Sequence, residues 1–178
     1  MNKNITIELS FNEKIERENQ NFYFKYVWSK AFKSWKKIFF FTLIFLFLGF
    51  YPIENFDTNL LYYVIKYMGI FLCGYCFIFI YQYFNSKKKF KIELEKLLQE
   101  FHSKNATSYI KLSSENLEIS NPFYTVKCVW DKVSYSIVKD YLIIYTISNL
   151  NYVVNKDELK TDDFGTVISF LERYSKSK

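Results

Sequence analysis

Residues 38–53 read IFFFTLIFLFLGFYPI and carry no charge. With Trp35 and its neighbours, this run approaches the ~20 residues of a helix that crosses a bilayer. A second apolar run, LLYYVIKYMGIFLCGYCFIFIYQYF, occupies 60–84 and is interrupted only by Lys66 near its start. Neither run has the polar stripe of an amphipathic helix packed in a soluble core. The pattern predicts a transmembrane helical hairpin over 34–86, with the acidic segment 54–59, holding Glu54 and Asp57, as its turn. The first run begins only after residue 37 and is followed by no small-residue cleavage site, so it does not read as a signal peptide.

Either side of the hairpin the periodicity changes. The opening ITIELSF, 5–11, alternates as a half-buried strand does, and the charged stretch 12–20 suits a helix. Residues 22–35 are aromatic and basic together, which fits either an interfacial segment or the cytoplasmic start of the first span. After the second run, Phe90, Leu94, Leu97, Leu98 and Phe101 fall at helical spacing and predict a juxtamembrane helix over 87–103. From 109 onward the period is two, with strands expected near 109–113, 116–120, 124–130, 133–139, 141–147 and 151–154. Turn residues separate them at Ser113–Asn116, Asn121-Pro122, Asp131-Lys132, Lys139-Asp140 and Ser148-Asn149. A last helix, capped by Asp157 or Thr161, buries Phe164, Val167, Ile168, Leu171 and Tyr174.

The expected fold is therefore a membrane α+β protein: a two-helix transmembrane hairpin plus a small antiparallel sheet or partly open barrel closed by a C-terminal helix. Its segments are 1–33 (strand and basic aromatic segment), 34–86 (hairpin), 87–103 (juxtamembrane helix) and 104–178 (sheet domain). The last of these is small for independent stability, so the N-terminal strand is expected to add to its sheet.

Composition sharpens this picture. The 178 residues are 50% hydrophobic and 22% aromatic, with 20 Phe and 16 Tyr, which excludes a disordered or linker protein. The net charge of +6 is concentrated at the membrane flanks. Lys33, Lys36 and Lys37 precede the first run, Lys87, Lys88 and Lys89 follow the second, and the turn has no basic residue. That asymmetry puts both termini in the cytoplasm of a multi-pass inner-membrane protein, with these lysines as anchors at the anionic leaflet. Because the excess lies there and not on the sheet segment, nucleic acid is not an expected partner.

Candidate chemistry is sparse. Cys73-Gly-Tyr-Cys76 spells C-x-x-C but falls inside a predicted span, where Gly69, Cys73, Gly74 and Cys76 read as small residues that let helices approach. Cys128 is expected in the core, and His102, the single histidine, assembles no metal site by itself. The acid pairs Asp157-Glu158 and Asp162-Asp163 fall near a predicted helix N-terminus, where the dipole favours them without catalysis. Lys66 reads as a boundary residue whose amine reaches water, set against a contact in a transport path. No glycine-rich phosphate loop, G-x-S-x-G or H-E-x-x-H is present, so neither enzyme activity nor a cofactor or metal is expected.

The order of features resembles the YcxB-like domain of small bacterial membrane proteins. The residues carrying the likeness are the N-terminal ITIELSF, the two adjacent spans, Ile110-Lys-Leu112, Asn116-Leu-Glu-Ile119, Cys128-Val-Trp130-Asp-Lys-Val133, Asp140-Tyr-Leu-Ile-Ile-Tyr145 and Val153-Val-Asn-Lys156. Asn155 stands where the family has a proline. The resemblance implies a pleckstrin-homology-like sheet domain with a C-terminal helix, and no catalytic residue. The expected function is a non-enzymatic bacterial inner-membrane protein whose cytoplasmic domain binds a protein or lipid partner at the membrane surface, or a second copy of itself. Trp130, Tyr135, Tyr141, Tyr145 and Lys156 are the candidate partner surface. The alternatives are a membrane-embedded immunity protein that neutralises a secreted toxin, and an accessory subunit of a transport or secretion assembly.

Overall fold

The computed structural model describes residues 4–51, 60–103, 107–147 and 151–177. The expected turns at 54–59 and 148–149 lie outside them. The chain is α+β, with two long helices and sheets that are antiparallel but for one short parallel pair. It divides into two compact units, one of Met1–Tyr23 with Leu94–Lys178 and the other of Phe24–Glu93. The order is β1 (Ile5–Ser10), α1 (Glu13–Phe50), α2 (Leu60–Ser103), β2 (Thr107–Leu112), β3 (Asn116–Ser120), β4 (Thr125–Val129), a 3-10 turn (Trp130–Lys132), β5 (Ser134–Val138), β6 (Tyr141–Tyr145), β7 (Asn151–Asn155), a second 3-10 turn (Lys156–Glu158), α3 (Thr161–Tyr174) and β8 (Lys176–Ser177).

In the first unit β1, β2, β3 and β4 form an antiparallel meander, and β7, β6, β5 and β8 form a second sheet. The strands thus form two four-stranded sheets, where a small sheet or a partly open barrel was expected. The register explains the first. Ile7 faces Ile110, Ile110 faces Ile119, Leu112 faces Leu117 and Leu117 faces Cys128, so one apolar row crosses all four strands. A one-residue slip would turn that row to solvent. The core is completed by Trp130, Val133, Tyr135, Leu142, Ile144 and Val154, with Val167 and Leu171 of α3 closing over them. Short turns set the hairpins: Asn121 Oδ1 accepts from the amides of Phe123 and Tyr124, each at 2.9 Å. Lys139, at φ 57°, carries the β5–β6 turn in the left-handed region.

The start of α1 agrees with the helix expected over 12–20, and the start of α3 differs from the expected cap. Helix α1 is capped by Asn12, whose Oδ1 accepts from the amides of Lys14 at 3.0 Å and Ile15 at 3.3 Å. Helix α3 follows Lys160 without any side-chain cap. Asp157 belongs instead to the preceding 3-10 turn, where its amide donates to Asn155 Oδ1 at 3.0 Å. Residues 22–35 are part of α1 throughout.

The second unit consists of α1 and α2 segments running antiparallel. Phe24 stacks on Phe90 with centroids 4.6 Å apart, Trp28 meets Tyr83 edge-on at 5.0 Å, and Trp35 stacks on Phe79 at 5.6 Å. Further along, Thr42 Oγ1 lies 3.6 Å from Cys76 Sγ, and both side chains are buried. Among the described residues only α2 is long and apolar enough to cross a membrane. The uncharged part of α1, 38–50, is shorter than a crossing, and a longer window takes in Lys36 and Lys37.

Candidate functional site

The residues singled out from sequence do not converge on one surface. Trp130 is 6% exposed, donates its Nε1–H to the Ser113 carbonyl at 3.0 Å, and stacks on Tyr174. Tyr135 is buried in the core. Tyr141 is half-buried and stacks on Phe22 of α1 with ring centroids 3.8 Å apart. The Tyr145 hydroxyl is 3.0 Å from Ser136 Oγ, and Lys156 is exposed. In the helical unit Lys33, Lys36, Lys37, Lys87, Lys88 and Lys89 are all exposed. Gly69 is buried, and a Cβ there would come within 3.1 Å of the Phe45–Leu46 backbone. Cys76 is buried, Cys73 is half-buried, and Gly74 faces open space. At Gly49 a Cβ would come closer still, 2.7 Å from the Lys66 Cα. The Lys66 amine lies 5.1 Å from the Phe50 ring centroid and 5.6 Å from that of Tyr62.

A different group of residues gathers around a cavity of about 190 Å³ inside the first unit. It opens where the apolar row of the first sheet ends. Leu9 of β1 faces Ser108 of β2, which places a small hydroxyl on the inward face. Phe11, Phe101 and Phe123 contribute rings, with Phe11 stacked on Phe101 at 5.1 Å and Phe123 edge-on to Phe101 at 5.0 Å. Helix α1 contributes Glu16 and Gln20 one turn apart, following its cap Asn12. Asn121 and Tyr124 come from the β3–β4 turn, Asn151 and Tyr152 from β7, and Glu158 from the turn that follows β7.

Two carboxylic acids therefore share a wall that, among the described residues, includes no basic one. Burial raises the Glu16 carboxyl above its ordinary value, against the 2.8 Å hydrogen bond from Gln20 Nε2 that favours its charged form. Burial pushes Glu158 up to about 7, and the neighbouring Glu16 charge adds to the shift. Opposing it, Asn19 Nδ2 donates to Glu158 Oε2 at 2.8 Å. The same oxygen is 3.4 Å from the Asn155 amide, in a reciprocal capping arrangement. The Tyr152 phenol is also raised, by burial first and then by Glu158 and Glu16. Asn19 is 1% exposed, and its Oδ1 has no hydrogen-bond partner among the described residues.

Helix α1 is held against the second sheet through this region. Asn19, Phe22 and Tyr23 follow one another round its inner face, and Tyr23 Oη accepts a hydrogen bond from Asn151 Nδ2. Nearby, exposed ion pairs link Glu13 with Arg17 at 2.9 Å, Arg17 with Glu95, and Glu13 with His102 at 2.8 Å. Among the described residues no group of three or more His, Cys, Asp or Glu is placed to hold a metal ion. Sequence reasoning missed Glu16, Asn19 and Glu158. The only local signal was a glutamate and an asparagine three residues apart on one face of α1, within a stretch that otherwise reads as solvated.

No protein-family model, no curated protein and no solved structure matches this chain.

Proposed function

We propose that the protein is a non-enzymatic, membrane-anchored binding protein of the bacterial inner membrane. Its helical unit crosses the bilayer twice, and its sheet unit stays in the cytoplasm to engage a partner. The observation that carries this reading is the inverted packing of the helical unit. Its interior positions are Thr42, Gly49, Gly69 and Cys76, whereas Phe71 is 72% exposed, Phe77 70%, Tyr81 71% and Phe40 62%. Small residues inside and large apolar ones outside suit a helix pair surrounded by lipid, where close packing drives association. In water the same surface would be a large aggregation-prone patch.

The lysines at 33–37 and 87–89 and the absence of basic residues between the spans support cytoplasmic termini. We read the sheet unit as a YcxB-like, pleckstrin-homology-like domain, on the order of its strands ahead of α3. Topology is tested with single cysteines in a cysteine-free background, labelled by a membrane-impermeant maleimide in whole cells. Position 59 should label in intact cells and position 175 only after permeabilisation. Labelling of position 59 only in permeabilised cells would overturn the double crossing.

A further inference from the structure

We propose that Asn19 and Glu158 form a proton-dependent clasp that fastens the start of α1 to the turn after β7. The Glu158 carboxyl, when protonated, donates its O–H to the Asn19 side-chain carbonyl and accepts in return from the Asn19 amide. Loss of the proton leaves only the second bond. The inference goes beyond the membrane reading and is independent of it, because both residues belong to the sheet unit.

The unpaired oxygen of Asn19 carries the argument. Asn19 is almost wholly buried, and its Nδ2 donates to Glu158 Oε2 at 2.8 Å. Oδ1 of the same planar group has no partner among the described residues. Buried polar atoms are normally satisfied, so Oδ1 needs a donor. The neighbouring donors are engaged elsewhere. Gln20 Nε2 donates to Glu16 at 2.8 Å, Asn151 Nδ2 donates to Tyr23 Oη, and the Tyr152 side chain is hydrogen-bonded with Ser108. The group that this carboxamide already holds is a carboxyl, and a protonated carboxyl offers one O–H beside an accepting oxygen. Acid and amide are thus complementary in both bonds. Turning the carboxamide over does not remove the need, because Oδ1 would then face Glu158 Oε2, a contact that again requires the acid proton.

The surroundings favour the proton. Burial pushes the Glu158 carboxyl up to about 7, and Glu16, one turn before Asn19 on α1, adds to the shift. From β7 come the Tyr152 phenol, itself raised by burial, and the Asn155 amide, 3.4 Å from Oε2. Tyr124 of the β3–β4 turn, also raised by burial, lies on the same cavity wall. Among the described residues that wall includes no cation. Arg17 of α1 is paired with Glu13 and Glu95, and Lys156 and Asp157 on the Glu158 turn are exposed.

The direction of the switch follows. The clasp is complete below the ordinary carboxyl value of 4.5 and is lost as pH rises through about 7. The proton leaves to the buffer, the carboxylate keeps its bond from Nδ2, and Asn19 Oδ1 is left beside a negative charge. The stacking of Phe22 on Tyr141 and the bond between Tyr23 and Asn151 remain as the other ties of α1. Its first turns therefore loosen while the helix stays seated.

The test is infrared spectroscopy of the detergent-solubilised full chain, carrying carbonyl-labelled asparagine, titrated from about pH 5 to about pH 8.5. The expected result is a protonated-acid carbonyl band that disappears with a midpoint at about 7. In step with it, one asparagine side-chain carbonyl stretch should rise in frequency as it loses its donor. That change should persist in Glu16→Gln and vanish in Asn19→Leu and in Glu158→Gln, whose amide keeps both bonds at every pH. Amide hydrogen exchange, corrected for its intrinsic pH dependence, reads the clasp itself. Residues 13–23 should exchange at least about fivefold faster at about pH 8 than at about pH 6 in the wild type, and at equal rates in Glu158→Gln. Circular dichroism checks that the variants fold. If Glu158→Gln or Asn19→Leu does not, the wild-type titration and Glu16→Gln decide. No acid band at the lower pH, an asparagine carbonyl stretch that stays fixed through the titration, its change persisting in a folded Asn19→Leu or Glu158→Gln, or exchange equally sensitive to pH in Glu158→Gln would overturn the proposal.

Discussion

Asn19 Nδ2 donates to Glu158 Oε2 at 2.8 Å, tying the first turns of α1 to the turn that precedes α3 across 139 positions of sequence. The bond is asymmetric in its needs. It favours the charged carboxylate, while burial favours the neutral acid, and burial wins, because the carboxyl is raised to about 7.

That balance fixes how stability depends on pH. The folded carboxyl titrates near 7 and the unfolded one near 4.5, so between these values the folded state binds more protons. Stability is then fully present below about pH 4.5 and is lost as pH rises through about 7, by up to ~3 kcal/mol from this group. Raised Glu16 acts in the same direction. Denaturant titration of the full chain in detergent should therefore show a falling midpoint from pH 5 to pH 8. The Glu158→Gln variant should show a flatter profile and be the more stable protein at pH 8. A wild-type profile that rises over this interval would show that the carboxyl is not protonated in the fold.

The exposed ion pairs supply a contrast. Glu13, Arg17, Glu95 and His102 make close pairs, and Glu13 is held below its ordinary value by His102 first and Arg17 second. These groups remain in water, where screening and side-chain entropy offset the attraction. Replacing His102 by Gln should leave the denaturation midpoint within error of wild type. A clear loss would mean that this cluster fixes the helix ends more firmly than its exposure indicates.

Trp130 tests whether an aromatic residue picked from a strand pattern is structural. Its ring is buried against Tyr174, and its indole N–H reaches the Ser113 carbonyl. Truncation to Ala should cost ~3–5 kcal/mol, whereas Phe, which keeps most of the ring and loses the hydrogen bond, should cost about 1 kcal/mol. Urea melts followed by far-ultraviolet circular dichroism would separate the two. Equal, small effects would move Trp130 out of the core and back to a partner surface.

The strands were readable because their signal is local. Alternation through Ile110, Leu112, Leu117 and Ile119 marks the buried face of β2 and β3, and Asn121 and Lys139-Asp140 mark the turns. The pairing of β1 with β2 joins residues on either side of both long helices, and only the need for more core hinted at it. The cavity was not readable. Glu16 looks like one more charge on a solvated helix, and Glu158 like an acid at a helix N-terminus, until folding brings them to one wall. Chemistry assembled from α1, β7 and a turn leaves no spacing in the sequence to find. Gly49 was missed for a related reason: its importance depends on which residue of α2 lies opposite, and that is Lys66.

Helix packing in the second unit can be probed glycine by glycine. A Cβ at Gly49 would sit 2.7 Å from a backbone carbon of α2, a distance at which something must move, and one at Gly69 would meet the α1 backbone at 3.1 Å. Gly74 meets nothing within 4 Å. Leucine at 49 or 69 should therefore separate the helices, at ~1–3 kcal/mol for each site, and leucine at 74 should not. A cysteine pair replacing Thr42 beside native Cys76 reads this out directly, since those side chains already touch. Oxidative cross-linking between positions 42 and 76 should fall sharply in the Gly49→Leu and Gly69→Leu backgrounds and persist in Gly74→Leu. If all three cross-link alike, the helices are not held by close approach at the glycines, and the aromatic ladder from Phe24 to Phe90 would be the main source of their pairing.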